Sequence, residues 1–177
     1  LIGDHDPAVS HARFPANWGQ LFNTPSFSQL AERAFGLRQL PRILVKTVTP
    51  EHGDTIYADP FREGVWFASP EAYEANYDRH TEAARQALVE CRVFIITLGL
   101  NECWEFVPDG SVLARNPRNR VIQSMLKSRV LTVEENVANV QRFIDIVREN
   151  NPEFTLLISV SPVPLMATTR AHDTHVI

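Results

Sequence analysis

Thr97-Leu98-Gly99-Leu100-Asn101-Glu102-Cys103-Trp104 directly follows the strongest strand signal in the chain, Arg92-Val93-Phe94-Ile95-Ile96. After Arg92 that run has no polar alternation, which is the pattern of a strand buried on both faces. Such strands belong to parallel sheets covered by helices. In open parallel sheets, ligands bind beyond the carboxyl ends of the strands. Gly99-Leu100-Asn101-Glu102 therefore stands where chemistry is expected.

Working outward, Ser69-Pro70-Glu71 combines a helix cap, a first-turn proline and a first-turn acid. The helix it opens presents Ala72, Tyr73, Asn76, Tyr77, His80, Ala83, Ala84, Ala87, Leu88 and Cys91 on one face. Beyond the central strand, 105–120 reads as a polar connection with Pro108-Asp109-Gly110 as a turn. Thr132-Val133-Glu134-Glu135 is a capping box. Its helix is predicted to turn Val133, Val137, Val140, Phe143, Ile144 and Val147 inward and to stop near Asn150-Asn151-Pro152. A second buried strand, 154–160, leads into Ser161-Pro162-Val163-Pro164-Leu165. Strand, helix, strand at this spacing is a βαβ crossover.

Nearer the amino terminus, 1–23 shows no clear period. Phe27, Leu30, Ala31, Ala34 and Phe35 mark a short helix over 26–36, with Ser26 as cap and Gly36 as terminator. Residues 43–49 read as a strand, and 50–67 as mostly loop with a turn at Asp59-Pro60-Phe61-Arg62. The expectation is one α/β domain over 1–177.

The 177 residues are 44% hydrophobic and 21% charged, ordinary for a globular chain. A net charge of −4 without a dense Lys/Arg run lacks the footprint of a nucleic-acid binder. No apolar run approaches the ~20 residues that cross a bilayer. Cys91 and Cys103 flank the central strand, whose six or so residues span roughly 20 Å. A disulfide needs Cα atoms about 4.4–6.8 Å apart, so the cysteines are expected to stay free. That fits a reducing, cytoplasmic setting. The chain starts at Leu1 without Met and ends at Val176-Ile177 in an apolar stretch, so it reads as part of something longer.

Five segments together resemble the GSCFA domain family. They are Phe22-Asn23-Thr24-Pro25-Ser26, Asp59-Pro60-Phe61-Arg62, Arg79-His80, the 97–104 stretch, and Ser159-Val160-Ser161-Pro162-Val163-Pro164-Leu165-Met166-Ala167-Thr168. These are bacterial proteins similar to SGNH hydrolases. The resemblance implies a three-layer α/β/α sandwich with a central parallel, flavodoxin-like sheet, and ester chemistry from Ser, Gly, Asn and His at loop ends. It also places the nucleophile, the Ser of a Gly-Ser-Cys-Phe-Ala segment, before Leu1, and an Asp-x-x-His base beyond Ile177. The 177 residues are then the middle of such a domain, expected to be inactive and marginally stable alone.

In that reading Asn101 donates its amide to the oxyanion formed when Ser attacks an ester carbonyl, an effect worth ~3 kcal/mol of barrier. The alternative is an Asn that bonds loop backbone. Gly99 lets the backbone turn off the strand close to substrate. Gly19, in Asn17-Trp18-Gly19-Gln20, is either the second donor through its N–H or a plain turn glycine, and Asn23 is a lesser candidate for substrate contact. Glu102 orients the Asn101 loop or serves as an ordinary loop partner, the favoured alternative. Trp104 walls the pocket or packs in the core. His80 reads as a hydrogen-bonded core histidine.

His172, Asp173 and His175 suggest an acid–base pair or metal ligands but fall in a stretch of no matching motif. Ser161 follows a strand, yet Pro162 removes the backbone N–H a nucleophile elbow uses, so it shapes the site floor. The chain has no Cys-x-x-Cys, His-Glu-x-x-His, Gly-x-Gly-x-x-Gly or Walker loop, so no metal or cofactor is expected. Two functions fit: a serine ester hydrolase or O-acyltransferase acting on a small-molecule or carbohydrate ester, or a binding domain that keeps the pocket without turnover. The sugar ester rests on superfamily analogy alone.

Overall fold

A computed structural model describes residues 16–49, 53–114, 116–117 and 119–162. In chain order the elements are α1 (Thr24–Ala34), β1 (Val45–Val48), β2 (Thr55–Ala58), β3 (Trp66–Phe67), α2 (Pro70–Glu90), β4 (Val93–Leu98), β5 (Glu102–Phe106), β6 (Ser111–Leu113), α3 (Arg120–Gln123), β7 (Leu126–Val130), α4 (Val133–Asn150) and β8 (Thr155–Val160).

The predicted crossover is present. β4 pairs β8 in parallel, from Val93 opposite Thr155 to Leu98 opposite Val160, with α4 between them in sequence. Both long helices start as their caps dictate. Ser69 Oγ accepts from the Ala72 N–H, and Thr132 and Glu135 form the reciprocal capping box.

The fold is mixed α/β, and among the described residues the parallel sheet has two strands. The expectation that the 92–98 strand is buried on both faces does not hold here. Phe94, Ile96 and Leu98 lie against the helices, while Val93, Ile95 and Leu157 are exposed on the other face. An unbroken apolar run does not say how many faces are covered.

Two antiparallel sheets also stand where loop was expected. Residues 50–67 contain β2 and β3, which form a sheet of order β1-β2-β3 with the predicted strand. The connection read from 105 onward contains the end of β5 and all of β6, members of a β6-β5-β7 sheet. Pro108-Asp109-Gly110 makes the β5–β6 hairpin turn, with Asp109 Oδ1 accepting from the Ser111 N–H at 3.0 Å and Gly110 at φ 71°.

α1 starts two residues earlier than predicted. Asn23, not Ser26, is its cap. Nearly all sides of α1 are buried, because it touches α2, α4 and β6. Toward α4 it presents a polar ladder: Thr24 donates to Asn136 at 2.9 Å, Ser28 to Asn139 at 3.4 Å, and Arg142 of α4 donates to Glu32 at 3.0 Å. Toward β6, the Gln29 side chain exchanges both amide hydrogen bonds with the Val112 backbone, the Val112 N–H donating at 2.9 Å.

The main core lies beneath β4 and β8. Ala31 and Ala34 of α1, Ala84 and Leu88 of α2, and Phe143, Ile146 and Val147 of α4 meet Ile96 and Phe154 there. Val133 and Val137, expected to face inward, are exposed, and α4 buries the stripe one step around its axis. Phe143 is 0% exposed and its ring centroid lies 5.4 Å from Phe94 and 5.9 Å from Phe154. Phe143→Ala is expected to lower stability by about 3–5 kcal/mol. Urea denaturation should show a lower midpoint with the slope unchanged.

Candidate functional site

The carboxyl ends of β4 and β8 lie side by side. The Ser161 N–H donates to the Leu98 carbonyl at 2.8 Å, and a Cβ placed on Gly99 would stand 3.9 Å from the Ser161 Cβ. The loop after β4 is then pinned twice by its backbone. Leu100 N–H donates to the Phe22 carbonyl at 2.8 Å, and Leu131 N–H donates to the Asn101 carbonyl at 2.7 Å. The Asn101 side chain is exposed between these ties. Gly99 and Ser161 are thus brought together, and Asn101 follows two residues further along the pinned loop.

The 17–23 strap supplies the other candidates. Phe22 touches the Asn101 loop through its carbonyl, and Asn23 follows as the α1 cap. Asn23 Oδ1 accepts from the Ser26 N–H at 3.1 Å and the Ser26 hydroxyl at 2.7 Å, while its Nδ2 donates to the Leu113 carbonyl at 3.3 Å. The side chain proposed for substrate contact is therefore buried and engaged in holding α1 on β6. Gly19 adopts φ +68° and donates its N–H to Asn17 Oδ1 at 2.9 Å. It sits on the Arg62–Glu63 backbone, with the Gln20 N–H donating to the Glu63 carbonyl at 2.8 Å.

The Asp59-Pro60-Phe61-Arg62 turn is the centre of a buried polar network that sequence reasoning left as a motif without a role. Asp59 Oδ1 accepts from the Phe61 N–H at 2.9 Å, and Asp59 Oδ2 accepts from Arg62 Nε at 2.8 Å. Arg62 also donates to Asn76 Oδ1 of α2 at 3.2 Å and to the Asn17 carbonyl at 3.4 Å. Arg33 of α1 lies nearby over the Tyr77 ring and meets His80 Nδ1. A guanidinium only donates, so Nδ1 accepts and His80 is a buried core histidine. Burial first, and then the Arg62 charge, push the Arg33 pKa below its ordinary value. Burial first, and then the Asp59 carboxylate, push the Tyr73 phenol above its ordinary range. The available signal was an Asp and an Arg three apart in a proline turn. The partners Asn17 and Asn76 are too far away in sequence to be read with it.

Glu102 opens β5, buried and opposite Val130, one residue from Asn101. Trp104, half-buried, pairs Ser128 on one side and Leu113 on the other, so it stands one strand away from the Asn23 contact. Cys103, between them, is buried with Val112 and Leu131. Burial pushes its thiol up to about 11, against the opposing pull of Arg129. A thiol held that high is a poor nucleophile at neutral pH. An unfolded thiol ionises near ~8.5. Cys103 therefore favours the folded state fully below that value, and the contribution is lost as pH rises toward about 11. Wild-type stability should fall more steeply over this window than that of Cys103→Ala, measured by urea midpoints at each pH.

Both cysteines are free thiols. Among the described residues no three His, Cys, Asp or Glu side chains group as metal ligands, and no helix is long and apolar enough to cross a membrane. His172, Asp173 and His175 lie outside the described residues.

No curated protein and no solved structure matches the chain. The model of the GSCFA family does, over residues 8–177, and the chain belongs to the GSCFA family.

Proposed function

We propose that this is the central part of an SGNH-like serine ester hydrolase or O-acyltransferase, with Asn101 as an oxyanion donor. The observation that carries the reading is the placement of Asn101. Its side chain is exposed at the carboxyl end of a parallel strand, on a loop whose backbone is fixed by Phe22 and Leu131 and which abuts the Ser161 turn. The fixed backbone sets where the Asn101 amide stands before charge develops, and donors placed in advance are where electrostatic catalysis gains most. Family membership supports the SGNH-like placement.

The chemistry runs as acyl transfer. A serine hydroxyl attacks the ester carbonyl while a histidine takes its proton, and the tetrahedral oxyanion receives the Asn101 amide. Collapse expels the alcohol, and water or an acceptor hydroxyl takes the acyl group. The resemblance places that serine and histidine outside these residues. The Gly19 N–H joins the oxyanion site by exchanging its Asn17 partner. Gly99 gives close approach, Ser161 the floor, and Glu102 and Trp104 the flank, with a small-molecule or carbohydrate ester as substrate. The three-layer sandwich belongs to the same proposal. Parallel strands are normally covered on both faces, and the apolar outer face of β4 and β8 supports a second helical layer.

The test is p-nitrophenyl acetate turnover by the full-length protein, with labelling by a fluorophosphonate serine probe. Turnover and labelling support the hydrolase. A folded, complete protein that does neither supports the binding domain instead.

A further inference from the structure

Resting on the hydrolase reading, we propose that Arg62 is a positioning residue for the Gly19 amide: its guanidinium, held by Asp59, fixes the Asn17–Gly19 turn and with it the direction of the second oxyanion donor.

Three features tie that turn to the Asp59–Arg62 turn. Arg62 Nη1 donates to the Asn17 carbonyl at 3.4 Å, and the Gln20 N–H donates to the Glu63 carbonyl at 2.8 Å. The third is the lack of a side chain at Gly19, where a Cβ would overlap the Glu63 carbonyl oxygen and come within 2.8 Å of the Arg62 carbonyl carbon. The positive φ and this contact together require glycine at 19. Arg62 itself cannot drift, because it is 1% exposed and also bound to Asn76 of α2. Three residues further along, the same strap meets the Asn101 loop at Phe22–Leu100. The buried turn is thus linked by backbone to both halves of the proposed oxyanion site. A guanidinium suits this better than lysine, since its three nitrogens serve carboxylate, amide and carbonyl oxygens at once.

The test is residue-resolved amide hydrogen exchange on the full-length protein, alongside kinetics on p-nitrophenyl acetate. Arg62→Lys keeps the charge beside Asp59 but loses the fork. It should speed exchange at Gly19 and Gln20 about tenfold, the equivalent of one charged hydrogen bond, while Leu88 in α2 stays protected. The kcat should fall by a similar factor with KM unchanged. Gly19→Ala keeps both side chains of the ion pair and the N–H but forces the turn off its seat, so it should reproduce both effects if Arg62→Lys fails to fold. Unchanged exchange at Gly19 and Gln20 overturns the proposal, and so does a rise shared equally with Leu88. An inert wild type defeats the hydrolase reading, and the exchange result still decides whether Arg62 sets the turn.

Discussion

Asp59→Ala is expected to lower stability by about 3–5 kcal/mol, the cost of leaving a buried cation without its partner. Asp59 and Arg62 side chains are each 1% exposed and 2.8 Å apart. Arg33 is buried close by, so without the carboxylate two guanidinium groups face each other out of water. For a domain with about 5–15 kcal/mol in total, that is a large fraction. Asp59→Asn retains an acceptor for the Phe61 N–H and should cost less. The decisive variant is Asp59→Ala with Arg62→Met, which removes the stranded charge and should recover much of the loss. Urea midpoints of the four proteins close a double-mutant cycle. A coupling energy near zero would mean that the pair contributes no more than its separate contacts.

Asn101→Ala is expected to lower kcat on p-nitrophenyl acetate by about 10²–10³-fold, with little change in KM because the interaction forms only as the oxyanion develops. The side chain is exposed and the loop is fixed through the Asn101 carbonyl, a backbone atom that alanine keeps. Circular dichroism and the urea midpoint should therefore match wild type. A variant that turns over at the wild-type rate would remove Asn101 from the mechanism and with it the main support for ester chemistry.

These two residues also show what could be read in advance. The place of Asn101 at a strand end was legible because its cue is local: an apolar strand, a glycine, then a polar side chain. The same locality made α2 and α4 legible through Ser69 and the Thr132/Glu135 box, and the β4–β8 pairing through two apolar runs separated by a helix. The antiparallel strands other than β1 carry no such cue. β5 holds Glu102 and Glu105 among Cys103, Trp104 and Phe106, and it reads as polar until Arg129 arrives from β7 to pair with Glu105 at 2.8 Å. Asn23 was misread for a related reason. Its amide oxygen answers the local Ser26 N–H, but its Nδ2 answers Leu113, which sequence spacing does not reveal. Arg62 is the extreme case, a buried charge whose partners come from the 17–23 strap, its own turn and α2.

The amide of Gln29 has a further consequence for how this molecule meets its neighbours. Val112 stands opposite Glu105 of β5, and its own N–H and C=O, turned to the outer side, find a side chain that imitates one residue of an adjoining strand. The β6 margin is thereby plugged from within by α1. An incoming β-segment finds no vacant ladder at Val112, so lateral growth by strand addition, the hazard of any open sheet border, is barred there by a single glutamine.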